Sequence, residues 1–157
     1  MEHQYANTTN LLETMVEKKK PTRAEVTDVA NAVLDGTDAL MLSAETAIGR
    51  NPVETITIMS QIAVSTENAW FQGQLSGPFS FTPPRKIEPT VAYAGNLVAE
   101  SLSATAIVAY TSSGATACRV ACHRPHRPVL SLSATPQIQR RLALTWGVES
   151  ALIEAIK

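Results

Sequence analysis

The chain has 157 residues, 45% hydrophobic and 17% charged, with a formal net charge of -1. That balance describes one domain of ordinary size or two small ones and sets aside a disordered chain. The near-neutral charge makes no case for nucleic acid or an anionic membrane surface, and no apolar run reaches the length of a membrane span.

Leu11, Leu12, Met15 and Val16 recur at helical spacing, and the KKKP run at 18–21 ends that piece. A clearer helix follows. Thr22 and Glu25 form an S/T-x-x-E capping box, Val26, Val29, Ala30, Val33 and Leu34 make its apolar stripe, and Gly36 closes it. DALMLS, residues 38–43, is too short for a helix and reads as a buried parallel strand. Asn51 as cap, Pro52 at N1 and Glu54 at N3 open a helix that runs to about residue 70. Residues 71–88 are rich in Gly, Pro and Ser and read as a linker. The expected organisation is thus 1–70, linker 71–88, and 89–157.

Beyond the linker the pattern repeats the alternation of an α/β fold. A helix is expected over 89–102, a strand over 105–111, and a helix over 114–122. A strand over 128–134 follows, then a helix opened by Thr135 and Pro136 that ends near Gly147, and a last strand over 150–156.

Four places carry chemistry-bearing residues. Ser43, Glu45 and Thr46 lie at the end of a parallel strand, where ligands collect in α/β folds, and they also read as a simple polar turn. TSSGATA, residues 111–117, follows a strand and opens a helix. It reads equally as a phosphate cradle and as helix capping by Ser112 or Ser113. Cys118, Cys122, His123 and His126 crowd one helix end and its exit, a poor arrangement for surrounding a metal ion. The expectation there is a buried helix face with two small buried thiols in a reducing, cytoplasmic setting. Arg124 and Arg127 form a basic turn suited to an anion or to the helix C-terminus. Arg23 opposes the dipole at the start of its helix and calls for an acid elsewhere, in this chain or on another subunit.

The stretch LLETMVEKKKPTRAEVTDVANAVLDGTDALMLSAETAIGRNPVE, residues 11–54, resembles the late barrel segment of pyruvate kinases, whose pattern runs A-T-Q-M-L-E-S-M, P-T-R-A-E-V and M-L-S-G-E-T-A. Residues 89–157 resemble that family's C-terminal α/β domain more loosely. The resemblance implies a cytoplasmic glycolytic enzyme that moves a phosphoryl group from phosphoenolpyruvate to ADP, using Mg²⁺ and K⁺, on a (β/α)₈ barrel within a tetramer. It assigns Thr9 to the substrate region, and Ser43 and Glu45 to a water network beside it. Arg23 becomes a brace across the subunit interface. Thr111, Ser112, Ser113, Gly114 and Thr116 become the loop that holds an effector's phosphate.

There are departures. Ala44 replaces the family glycine, and Ser112 and Ala115 stand where some relatives carry a basic residue. The family's catalytic lysine, its acidic Mg²⁺ pair and its adenine-side residues have no counterpart. The polar residues before Thr9 argue that the preceding strand is missing or damaged. The expected architecture is therefore a partial (β/α)₈-barrel segment followed by a truncated three-layer α/β/α domain. Such a chain is expected to be inactive alone and to form a homo-oligomer, with no nucleic-acid or membrane partner. The alternative is a non-catalytic module for phosphate-effector binding or oligomerisation.

Overall fold

The computed structural model describes residues 5–6, 11–75 and 86–154. The chain divides into two compact units, one of them Gln4–Ser80 and the other centred on Phe81–Lys157.

The first unit begins with a two-residue strand, β1 (Tyr5–Ala6), paired in parallel with β2 (Ala39–Leu40) in the register Tyr5↔Ala39 and Ala6↔Leu40. The polar start therefore does form a strand, contrary to the expectation from its composition. β2 ends at Leu40, short of the expected Ser43. Between the strands lie a four-residue 3₁₀ turn (Glu13–Val16) in place of the expected α-helix, and α1 (Arg23–Leu34). The first amides of this turn are capped from outside it. Buried carboxylates accept the N–H groups of Leu12 and Thr14.

The capping box of α1 is complete: the Glu25 N–H donates to Thr22 Oγ1 (3.3 Å) and the Thr22 N–H donates to Glu25 Oε2 (2.7 Å). Gly36 ends the helix at φ +83°. After β2 a single-turn helix, α2 (Ala44–Ala47), takes Ser43 as its N-cap. Gly49 then lets the chain turn back over Glu45, since a Cβ there would collide with the Glu45 carbonyl oxygen. The long helix α3 (Pro52–Phe71) follows. Asn51 precedes it, but its side chain does not cap the helix; Nδ2 donates to the Lys18 carbonyl at 3.3 Å. Leu11, Leu12, Met15, Val29 and Met59 form the core, flanked by Leu40, Leu42, Ile58 and Ile62. The apolar stripe of α1 is narrower than its sequence implies. Val29 is fully buried and Val26 exposed.

In the second unit α4 (Ile87–Ser101) leads to β3 (Ile107–Tyr110), α5 (Ala115–Ala121), β4 (Val129–Ser133), α6 (Pro136–Leu142) and β5 (Val148–Leu152). The three strands form a parallel sheet in the order β3-β4-β5. This is the α/β alternation that the sequence implies. The last strand starts two residues earlier than expected, because pairing with β4 aligns Val129 with Val148. Accordingly α6 stops at Leu142, and Gly147 turns the chain at φ +68°. The core is rich in alanine: Ala92, Ala109, Ala117 and Ala121 pack with Val120, Val129 and Leu142. Small side chains let helices and sheet approach closely, and Leu142 supplies the bulk. Most of the expected linker, 76–85, lies outside the described residues.

Candidate functional site

Ser43 and Glu45 sit just past the carboxyl end of β2, where the sequence places them. Glu45 is not in an open polar turn. Its side chain is fully buried, Oε1 accepts the Leu12 N–H (3.2 Å), and Oε2 accepts the Ser43 N–H (2.9 Å). Glu25 is the second buried carboxylate of this unit. Its Oε1 accepts the Thr14 N–H (2.7 Å). Its Oε2 accepts from Thr14 Oγ1 (2.6 Å), the Thr22 N–H (2.7 Å) and Thr22 Oγ1 (2.9 Å). Sequence reasoning identified Glu25 as a cap and missed its reach to Thr14, 11 residues away. The capping box was the visible signal; the tertiary contact had none.

Burial pushes both carboxyls up, yet both lie below the ordinary 4.5. For Glu45 the donors that outweigh burial are the N–H groups of Glu45 itself, Ser43 and Leu12, against a small upward push from the Glu25 charge. For Glu25 they are the backbone and hydroxyl groups of Thr14 and Thr22. In the second unit, burial lowers His123 from the ordinary 6.5.

The two units should therefore respond to acid in different windows. A folded pKa below the unfolded value gives stability that is present above the unfolded pKa and lost as pH falls through the folded one. The His123 contribution should decline from about pH 6.5 downward, and those of Glu25 and Glu45 only below about 4.5. The chain has two tryptophans, Trp70 in α3 and Trp146 in the second unit. Urea midpoints of a Trp70→Phe variant should fall between pH 7 and 5.5, while those of a Trp146→Phe variant stay level until below 4.5.

Arg23 is exposed, and its guanidinium has no ion-pair partner among the described residues. Thr9 lies outside the described residues.

The loop after β3 is more closed than a cradle of free hydroxyls. Thr111 is buried, and its Oγ1 accepts the Gly114 N–H at 2.8 Å. Gly114 adopts φ +87°. Ser112, Ser113 and Thr116 are exposed. Ser113 Oγ accepts the Ala115 N–H at 3.4 Å, a long contact, and Ser112 does not cap the helix. The structure adds a residue that sequence reasoning missed. Arg141 reaches from α6 to donate from Nη2 to the Ser113 carbonyl at 2.8 Å. A Cβ on Gly114 would lie 3.4 Å from that nitrogen and 3.3 Å from Leu142 Cδ2. The loop thus has a cation although positions 112 and 115 carry none. No local motif announces a contact across 28 positions.

Arg124 corrects the basic-turn reading. It is buried at φ +50°, and its guanidinium lies 4.6 Å from the centre of the Trp146 ring, a cation–π contact. Cys118 and Cys122 are half-buried thiols outside any disulfide, where full burial was expected. Cys122 Sγ donates to the Arg119 carbonyl at 3.1 Å. A pocket of about 430 Å³ opens between Pro125–Pro128 and Trp146–Glu149. Among the described residues no group of three or more His, Cys, Asp or Glu side chains converges on a metal position.

Two family models match the two units in turn. Residues 3–56 match the family described as pyruvate kinase, barrel domain, and residues 89–157 match pyruvate kinase, alpha/beta domain. The chain belongs to the pyruvate kinase family. Over 145 residues it is 41% identical to a Mycobacterium tuberculosis pyruvate kinase, covering 92% of this chain and 30% of that one. Over 148 residues it is 46% identical to a pyruvate kinase of Agrobacterium vitis, with coverage of 92% and 30%. A crystal structure of a Cryptosporidium parvum pyruvate kinase matches with a TM-score of 0.81 at 33% identity, covering 95% of this chain and 31% of that chain. A second structure of a pyruvate kinase from that organism, in complex with ADP, matches at 0.75 and 32%, with coverage of 95% and 30%. This chain therefore spans about 30% of the length of these pyruvate kinases.

Proposed function

We propose that these residues serve phosphoryl transfer from phosphoenolpyruvate to ADP, giving pyruvate and ATP, as part of a larger barrel, and that the 157 residues alone do not turn over. The observation that carries this reading is Ser43 and Glu45 at the carboxyl end of a parallel strand in a chain of this family. The described residues supply two short strands to that unit, against the eight of a closed barrel. In this proposal Thr9 belongs to the substrate region, Ser43 and Glu45 belong to the water network beside it, and exposed Arg23 braces a neighbouring copy in a cytoplasmic homo-oligomer. Domain boundaries at 1–70, 71–88 and 89–157 belong to the same reading.

Mg²⁺ and K⁺, when bound, would neutralise the phosphoryl oxygens. Among the described residues no acidic cluster fits Mg²⁺. Glu45 and Glu25 spend their oxygens on protein donors, and no other acidic group converges. The ions belong to the rest of a complete enzyme.

The test is a chimera in which residues 8–157 replace the matching segment of the M. tuberculosis relative. In a lactate-dehydrogenase-coupled assay, kcat/KM is expected within about tenfold of the parent. A folded but silent chimera refutes the proposal, and turnover by the 157-residue chain alone refutes its second half.

A second reading, favoured by Arg141 on the Ser113 carbonyl, is that the 111–116 loop binds the phosphate of an effector. Ser112, Ser113 and Thr116 are open to supply hydroxyls, Thr111 shapes the loop, and Gly114 keeps it clear of a side chain. Isothermal titration with phosphosugars and nucleotides should give heat for at least one. Arg141→Ala should weaken that binding by about tenfold or more, the worth of one charge-assisted hydrogen bond. No heat from any of them rejects this reading.

A further inference from the structure

The turn at residues 11–16 is gripped from two sides by buried carboxylates of different helices. Glu45, the second residue of α2, accepts the Leu12 N–H and the Ser43 N–H. Glu25, the third residue of α1, accepts the N–H and hydroxyl of Thr14 and the N–H and hydroxyl of Thr22. Leu12 and Thr14 stand two residues apart on the same turn, so each carboxylate holds one end of a single rigid piece. Leu12 and Met15 of that turn are completely buried, which leaves it little freedom to shift without both anchors. Arg23 lies two residues before Glu25, and Ser43 two residues before Glu45.

We propose that Glu25 and Glu45 form a two-armed clamp, in which both act as positioning residues that set Ser43 and the Arg23-bearing start of α1 in one frame. Glu45 then works as an acceptor for backbone N–H groups and does not pass a proton to or from substrate. The donor set argues for this. Every group that the structure places on either carboxylate is an N–H or O–H donor, so an ionised acid satisfies all of them where an amide would set N–H against N–H. The neighbouring negative charges repel each other, a cost that such a site accepts only when the donors are this numerous.

The part of this inference that concerns catalysis rests on the reading of Ser43 and Arg23 above; the clamp itself does not. Amide hydrogen exchange on the full chain tests the clamp. Glu25→Gln should lower protection at Thr14 and Thr22 by about tenfold and also lower it at Leu12 and Ser43, because the turn transmits the loss. Normal protection at Leu12 and Ser43 in that variant would mean two independent caps, and the clamp fails.

If the variant does not fold, an acid titration of the unaltered chain by NMR decides the matter. The amide protons of Leu12, Thr14, Thr22 and Ser43 should move together. Separate midpoints for the Glu25 pair (Thr14, Thr22) and the Glu45 pair (Leu12, Ser43) overturn the clamp. In the active chimera, Glu45→Gln should lower kcat while the acid limb of the pH profile stays in place. Loss of that limb would make Glu45 a proton donor and overturn the positioning role. An inactive chimera would count against the functional reading alone, since the exchange data stand without it.

Discussion

Glu45→Leu should lower the stability of the first unit by about 3 kcal/mol, although leucine is apolar, similar in size and enters a fully buried site. Exchanging a buried polar group for an apolar one is nearly neutral when both partners of the hydrogen bond leave together. Here the partners are the backbone N–H groups of Leu12 and Ser43, and no substitution at position 45 removes them. The Leu12 N–H is left buried without an acceptor and the Ser43 N–H partly so, at about 1–3 kcal/mol apiece, and the apolar gain of leucine offsets part of that sum. The measurement is a urea melt followed by Trp70 fluorescence in a Trp146→Phe background. A loss below about 1 kcal/mol would show that water reaches these amides and that Glu45 is dispensable to the fold.

Leu142→Ala should cost the second unit about 3 kcal/mol, the middle of the range for a fully buried leucine. Leu142 is completely buried at the end of α6 and is the bulkiest member of a core otherwise made of Ala92, Ala109, Ala117, Ala121, Val120 and Val129. Alanines have no side-chain length with which to collapse into the space it leaves, so the cavity term stays large. Leu142 Cδ2 also borders the Gly114 position, 3.3 Å from where a Cβ would stand, so the loop should loosen along with the core. Urea melts read by Trp146 in a Trp70→Phe background check the magnitude. An unchanged slope with a lowered midpoint would assign the loss to the native core.

Much of this fold can be read in local patterns, because those patterns are set by groups close in sequence. The α1 capping box, its glycine stop, the proline start of α3 and the strand–helix alternation beyond residue 89 all appear where their residues imply. Boundaries shifted where a distant partner set them. β5 begins where β4 aligns it, with Val148 opposite Val129. At the 3₁₀ turn of 13–16 the capping groups are likewise distant, since Glu45 and Glu25 accept the N–H groups of Leu12 and Thr14.

The residue types and spacing of PTRAEV and MLSAET determined by themselves which family the chain resembles and which residues stand at a strand's carboxyl end. Only the tertiary structure decided what those residues touch. Glu45 became a buried acceptor for two backbone segments 33 and 2 positions away, Arg124 a cation stacked on Trp146, and Arg141 the cation of the 111–116 loop. The physical reason is that a capping box or a glycine stop is satisfied within one turn of chain, whereas a long charged side chain takes its partners from whatever the fold brings near, and no local pattern encodes that meeting.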